Sequence, residues 1–423
     1  MSTFIFESYE FDEASAVAAF HYSFDGERHF SEKITFAAPT SVYDRAVLDR
    51  ALRLAFLVIG TSYYKTFPTS LVDFRGTGLD DWQAQFMAQV YNEGLSQYAY
   101  ENSLTSAHLA RFQATLPESD TPLPYDGDGT LVLQSGGKDS LLVAALLQED
   151  GRSFTPWYLS SSKHYPHVLD SFDQPVVVAT RSLDRDGLAR AAADGAKNGH
   201  VPVTFIVQSI ALIQAVLLNK KQVIAAIAHE GEEPHAMIGD LAVTHQWSKT
   251  WQAELLFSEY VARYVSPDIE VGSPLRRFSE LKVAELFVDH AWATYGHSFS
   301  SCNRANYKQG EDNTTLTWCG DCPKCANSFL LFAPFLDAEV LKEVFAGQDL
   351  FSKPSLQETF KGLFGVDGVM KPFECVGEID ELRRAYHMAQ RRGGYDAVAF
   401  VVPDSDFDYE HGYPAQDWTT ALV

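Results

Sequence analysis

Residues 130–148 read TLVLQSGGKDSLLVAALLQ, and this run constrains the fold more than any other part of the chain. A short apolar strand, TLVLQ, meets two adjacent glycines, and a helical apolar pattern begins at about Asp139. A strand that turns through glycines into a helix start aims several backbone N–H groups at one point, at the positive end of the helix dipole. The glycines allow the main chain to approach an anion with no Cβ in the way. Ser135, Gly136, Gly137, Lys138, Asp139 and Ser140 are therefore candidate binders of a phosphate-bearing cofactor. Lys138 would add a point charge, Ser135 and Ser140 hydroxyls, and Asp139 a carboxylate for Mg²⁺. Neither of the two common phosphate fingerprints fits. A Walker loop ending at Gly137-Lys138 requires glycine at Val132 and a hydroxyl residue at Asp139, and no GxGxxG opens this helix.

Beyond the loop, apolar runs alternate with helical segments. PVVVAT (175–180) and QVIAAIA (222–228) read as buried strands, and helical patterns occupy 248–265 and 278–290. That alternation predicts an α/β fold with a mainly parallel sheet. Ahead of it, FIFESYEF, AVAAFHYSF and HFSEKITF are separated by DEAS and DGER, which predicts an antiparallel meander with a turn at Asp25-Gly26. Apolar residues then recur at helical spacing from Ser41 to about Ala114. The stretch 117–130, PESDTPLPYDGDGT, is the clearest boundary. The expected organisation is a meander and helical region over 1–125, a nucleotide-binding domain over 126–340, and a C-terminal segment over 341–423.

Composition narrows the partners. Apolar residues make up 46% of 423, as in globular chains, and the formal charge is −23. Such a surface repels phosphate backbones, so DNA or RNA is not an expected partner, and an anionic ligand must be gripped locally. The uncharged run 201–219, VPVTFIVQSIALIQAVLLN, contains Pro202, Thr204, Gln208, Ser209 and Gln214 and reads as a buried strand or loop followed by a core helix, not a membrane span. The N-terminus has early acids and no basic stretch before an apolar core, and the cysteines number five. Both features lead us to expect a cytoplasmic protein.

Four of those cysteines, Cys302, Cys319, Cys322 and Cys325, follow the spacing C-x16-C-x2-C-x2-C. Thiolates so arranged suit a structural Zn²⁺, an iron–sulfur cluster has the same ligand set, and free buried thiols are the third reading. Cys375, 50 positions on, reads as a buried thiol or surface residue and not a ligand.

The string SGGKDS resembles the signature of the PP-loop ATP pyrophosphatases, which cleave ATP between its α- and β-phosphates. That resemblance implies that Ser135, Gly136, Gly137, Asp139 and Ser140 hold the departing pyrophosphate. The pairing of this loop with a late CxxCxxC cluster, and the segment SPLRRFSELKVAEL (273–286), is similar to the 7-cyano-7-deazaguanine synthases, whose cysteines bind zinc. SYYK (62–65), NGHVPVT (198–204), HQWSKT (245–250), SCNRA (301–305), WCGDCPKC (318–325) and KPFECVGE (371–378) resemble one group more specifically. These are the ATP-dependent epimerases of peptidoglycan synthesis, the MurL family, which act on UDP-N-acetylmuramoyl-L-alanyl-L-glutamate. The segment 229–240, HEGEEPHAMIGD, departs from the more polar loop expected there.

The resemblance implies an isomerase that adenylates the glutamyl α-carboxylate with ATP and Mg²⁺, inverts Cα, and releases AMP and pyrophosphate. A ligase acting on an adenylated carboxylate, a tRNA-adenylating enzyme and a zinc-stabilised binding module are the competing classes. For proton transfer, His245 and Lys249 stand at i and i+4, which would put them on one helix face, and His200 follows Asn198-Gly199. Lys65, Arg276 and Arg277 are candidate contacts to the UDP phosphates. Tyr63 and Tyr64 read as packing residues.

Overall fold

The computed structural model describes residues 2–39, 42–75, 77–117, 122–306 and 314–422. Part of the expected boundary at 117–130 and the middle of the cysteine segment, 307–313, lie outside the described residues. Three long strands open the chain: β1 (Thr3–Asp12), β2 (Val17–Phe24) and β3 (Arg28–Thr35). They pair antiparallel in sequence order. Asp25 and Gly26 both take positive φ (55° and 71°), the two-residue turn whose twist matches that of the flanking strands. Helical spacing does not run unbroken to Ala114. The helix Arg45–Ile59 and the turn Thr61–Tyr64 end before Pro68, and β4 (Leu71–Asp73) adds in parallel to β1. Proline cannot donate the amide that a continuing helix needs. Helices resume at Asp81–Asn92 and Ser96–Glu101.

The second strand set is parallel, as the alternating pattern predicts. It comprises β5 (Thr130–Leu133), β6 (Thr155–Ser160), β7 (Val177–Ser182), β8 (Gln222–Ile224) and, after a small hairpin of β9 (Ala236–Ile238) with β10 (Leu241–Val243), β11 (Glu270–Gly272). Strand order is β11-β8-β5-β6-β7-β3-β2-β1-β4, one sheet in which the meander continues the parallel set through antiparallel β3–β7 pairs. Both faces are covered. On β5, Leu131 joins the core beneath the N-terminal helices while Val132 joins the core on the opposite face; Val223 and Ile224 of β8 divide in the same way. That two-sided burial explains why these strands read as unbroken apolar runs.

The uncharged run 201–219 is the helix Val203–Leu217, buried along most of its circumference against Arg45–Ile59 and the sheet. Its polar side chains are used inside: Gln214 Oε1 accepts from the Ala37 amide at 3.0 Å and Ser209 donates to the Ile206 carbonyl. No helix among the described residues is long and apolar enough to cross a membrane. The far end of the chain adds helices Gln357–Phe364 and Ile379–Arg392 to the opposite core. It then runs as an extended strap whose Tyr413 amide bonds the Arg277 carbonyl and whose Gln416 amide reaches Glu254 and the Val271 carbonyl.

A buried ion pair fastens the two strand sets at their junction. Arg181 of β7 meets the fully buried carboxylate of Glu32 on β3 through Nε–Oε1 at 2.6 Å and Nη2–Oε2 at 3.2 Å. Tyr63 donates to the same carboxylate at 2.9 Å, and Arg181 also reaches Ser62 Oγ. Removing one partner of such a pair strands a desolvated charge and costs about 3–5 kcal/mol, whereas replacing both is far milder. Arg181→Met should therefore lower unfolding free energy by about that amount, read as a fall in the urea midpoint. The Glu32→Leu/Arg181→Met double variant should be the more stable protein of the two.

Candidate active site

The chain runs β5, β6, β7 in one direction across the sheet and returns to β8 on the other side of β5. Loops leaving β5 and β8 therefore diverge, opening a crevice at the carboxyl ends of the strands, where open α/β sheets take their ligands. The loop 135–140 follows β5, and the helix it opens is Lys138–Glu149. Gly136 holds φ +77°, and a Cβ there would lie 2.5 Å from Leu316 Cδ1, so glycine is required on both counts. Ser140 Oγ accepts from the Ser135 amide at 3.1 Å, and Ser135 Oγ accepts from the Gly137 amide at 3.2 Å. The loop is thereby braced by its own hydroxyls.

Lys138 is buried and does not stand as an isolated point charge. Its Nζ lies 2.5 Å from Asp139 Oδ1 and 2.7 Å from Glu280 Oε2. Burial opposes ionisation of Asp139, but Lys138, with Lys249 and Lys324 farther off, wins and holds the carboxyl below its ordinary range. Burial also raises the Glu280 carboxyl, and Asp139 and Glu230 add to that rise. Gln134, the last residue before the loop, has a buried side-chain amide with no partner among the described residues.

The cysteine loop closes the other side of this turn. Ser300 donates its amide to the Gly136 carbonyl (3.3 Å) and its hydroxyl to the Thr317 carbonyl (2.8 Å). Asn306 bridges Ser300 Oγ and both backbone groups of Thr317. Just behind, Cys302, Cys319, Cys322 and Cys325 converge, with all four sulfurs within 4.8 Å of one another and neighbouring pairs at 3.5–3.7 Å. A tetrahedron with metal–sulfur bonds of about 2.3 Å has edges of about 3.8 Å, so the spacing fits one ion. A multi-iron cluster, with several metal atoms between the thiolates, would hold them farther apart. The amides of Ala305 and Asp321 point at Cys302 and Cys319 sulfur at 3.4 Å, as expected where thiolate charge is shared out.

Across the crevice lies the segment after β8. His245 and Lys249 do not share a helix face. Gln246 adopts the left-handed conformation (φ 55°, ψ 55°), Trp247–Lys249 is a single 3₁₀ turn, and Thr250 caps a new helix, Trp251–Tyr260. The i, i+4 rule fails because the backbone reverses its hand between the two residues. They nevertheless face the same space. Lys249 pairs with Glu230 Oε1 and Oε2 at 3.2 Å. Burial works against its charge, but Cys375 when ionised, and Glu230, Asp139 and Glu280, keep it firmly an ammonium. The rings of His200 and His245 lie 4.9 Å apart. Burial first, then neighbouring cations, depress His245 to about 2 and His200 to about 4, so both are neutral imidazoles at physiological pH. His200 Nε2 and Ser248 Oγ are buried with no partner among the described residues.

Of the expected substrate contacts, Lys65 stays near this group. It donates to the Gly199 carbonyl at 2.8 Å, and burial lowers it to about 8, with Arg181 adding to the effect. Arg276 is sealed in the core, paired to Glu254 Oε2 at 2.9 Å and the Ala228 carbonyl at 2.7 Å. Arg277 lies over the Phe278 ring. Tyr63 and Tyr64 are buried packing residues.

Five contributors were not among the expected site residues, although Glu280, Lys324 and Cys375 lie in segments that carry the family resemblance. Glu230, Glu280, Gln97, Lys324 and Cys375 reach the site only through tertiary contact, and Cys375 is not among the clustered sulfurs. Lys324, between the cysteines, donates to the Cys375 carbonyl at 2.6 Å, and Asn327 accepts from the Gly377 amide. The cysteine helix thus carries 371–378 to the crevice. The divergent segment 229–240 supplies Glu230 and also fixes that loop from the other side, through Glu233 to Lys371 and His235 to the Pro372 carbonyl.

Comparison with known proteins identifies the family. Family models described as the MurL N-terminal domain and MurL C-terminal domain match residues 1–273 and 298–407. A Salinispora tropica protein named UDP-N-acetyl-alpha-D-muramoyl-L-alanyl-L-glutamate epimerase is 35% identical over 434 positions, spanning all of this chain and 91% of the relative. Proteins of the same name from a Micromonospora species and from Xanthomonas oryzae pv. oryzae are 34% and 32% identical, over 90% and 95% of this chain and 85% and 88% of theirs. With both halves matched and relatives aligned over nearly its whole length, this chain belongs to the MurL family.

Proposed function

We propose that the protein is an isomerase that inverts the terminal L-glutamyl residue of UDP-MurNAc-L-Ala-L-Glu, consuming ATP through an acyl adenylate. The relatives' shared name supports the substrate. The observation that carries the ATP chemistry is the glycine turn Ser135–Ser140 set opposite the Lys249–His245–His200 group at the sheet's switch point.

A free carboxylate resists loss of the neighbouring Cα proton because the carbanion would place charge beside charge. Transfer of AMP to that carboxylate gives a carbonyl able to delocalise the developing charge, and each pK unit so gained removes about 1.36 kcal/mol. In this PP-loop reading, Ser135, Gly136, Gly137 and Ser140 hold the departing pyrophosphate through main-chain amides and hydroxyls. Lys138, braced on its other side by Glu280, keeps the Asp139 carboxylate oriented and ionised, ready for Mg²⁺, which would supply charge neutralisation at the phosphates. Lys249 adds a permanent positive charge facing the loop. The neutral imidazoles His245 and His200 are available for proton traffic at Cα, and Lys65 for the UDP phosphates. Arg276 and Arg277 are better explained as structural residues. A Zn²⁺ held by Cys302, Cys319, Cys322 and Cys325 would fix the loop that backs Gly136.

In heavy water, AMP and pyrophosphate should appear together with deuterium at the glutamyl Cα. AMP release with unchanged configuration would defeat the reading. Asp139→Asn and Ser140→Ala should each slow pyrophosphate release at least about 100-fold, as expected when a group acting on transition-state charge is lost. Elemental analysis should find one zinc per chain and a colourless protein. Stripping that zinc should lower the thermal midpoint and, by freeing the 300–325 loop from Gly136, raise the KM for ATP.

A further inference from the structure

Cys375 lies beside His245 and Lys249, and its neighbours fix what it can do. Its Sγ lies 3.7 Å from Nε2 of His245. The tautomer of that imidazole follows from a chain of contacts. Gln97 donates its side-chain N–H₂ to Glu101 Oε1 at 2.8 Å, and a carboxylate can only accept. The amide oxygen of Gln97 is therefore the atom facing His245 Nδ1, at 2.7 Å. Nδ1 must carry the proton, so Nε2 presents a lone pair to the sulfur. Burial keeps Cys375 a thiol at rest, with Glu230 and Glu374 adding to that effect. The ammonium groups of Lys249 and Lys324 oppose it and are placed to stabilise the thiolate once formed.

His245 by this geometry faces sulfur, not open crevice. Its ring is hemmed in by His200 and His235, and the cations Lys249 and Lys324 disfavour its protonation. Bound nucleotide phosphates beside Lys249 would offset part of that repulsion, tying proton transfer to an occupied site. Cys375 is only partly buried and is fixed by Lys324 and by the anchored amide of Gly377, on the loop segment that lies against Lys249 and Glu230.

We infer that Cys375 is a catalytic residue of the epimerisation, its sulfur exchanging a proton with the glutamyl Cα while His245 serves as its base. In the step, His245 Nε2 takes the thiol proton and leaves a thiolate beside Lys249. The thiolate removes the Cα proton, so that an S–H bond forms, a C–H bond breaks, and the electron pair moves onto the adenylate carbonyl oxygen. Water delivers a proton to the opposite face of Cα, and the imidazolium returns its proton through solvent to the hydroxide left behind. Gln97 is then a positioning residue that sets the tautomer.

The inference rests on the epimerase reading above, and its test separates the two. With wild-type protein, ATP and the UDP-linked L-dipeptide, two rates are followed in heavy water: pyrophosphate release and deuterium entry at Cα. Cys375→Ala should still release pyrophosphate but lose deuterium entry by at least about 100-fold, the usual size of a general acid–base contribution. Cys375→Ser, nearly the same shape with a far less acidic proton, should show the same split. Deuterium entry at wild-type rate in either variant overturns the assignment. So does equal loss of both rates in both variants, which would mark Cys375 as structural. Absence of pyrophosphate release from the wild-type protein refutes the adenylate reading instead, and deuterium entry in the variants still decides the role of Cys375.

Discussion

The contact between the cysteine loop and Gly136 holds the crevice in shape. Ser300 grips the Gly136 carbonyl, Thr317 and Asn306 grip Ser300, and the four sulfurs sit directly behind. A glycine turn is flexible by nature, and anion binding by main-chain amides depends on their pointing one way before the ligand arrives. Here that order is imposed from outside the turn, by a segment about 165 residues later in the chain. The same segment continues into the helix Pro323–Phe332, whose Lys324 and Asn327 carry the loop containing Cys375. One metal-sized tetrahedron thus braces both the glycine turn and the loop that carries Cys375.

Charge is distributed with similar economy. A chain of net charge −23 must concentrate cations to hold a polyanion. Lys138, Lys249 and Lys324 each approach the crevice with a partner already engaged: Asp139 and Glu280, Glu230, and the Cys375 carbonyl. These partners keep the ammonium groups in place without ligand, and the carboxylates let Lys138 and Lys249 remain charged where burial would otherwise neutralise them. The histidines experience the opposite effect, since the same burial and the same cations hold them neutral.

Much of this was legible from residues alone where local rules decide. The glycine turn between strand and helix, the tetrad spacing, the Asp25-Gly26 hairpin and the buried helix 203–217 each carry their signal within a few positions. What escaped was set at a distance. Gln97 reaches His245 across 148 positions, Glu280 reaches Lys138 across 142, and Cys375 reaches His245 across 130, and even the motif segments that hold Glu280 and Cys375 do not announce those pairings. The expected helix face joining His245 to Lys249 failed because a single residue, Gln246, turned left-handed. Spacing cannot reveal that choice when the residue is not glycine. The merging of meander and parallel set into one sheet was hidden for a related reason: strand pairing at an edge is specified by geometry and by buried partners such as Glu32 and Arg181, not by alternation.

That merging has a consequence for how the chain can be divided. A fragment starting near residue 126 would present β7 as an open border, its amides unsatisfied and its guanidinium deprived of a counter-ion. The complementary piece would display β3 in the same condition. Bare borders of this kind recruit one another into intermolecular stacks. The two regions, although separable in the string of letters, are obliged to be synthesised, inherited and degraded together.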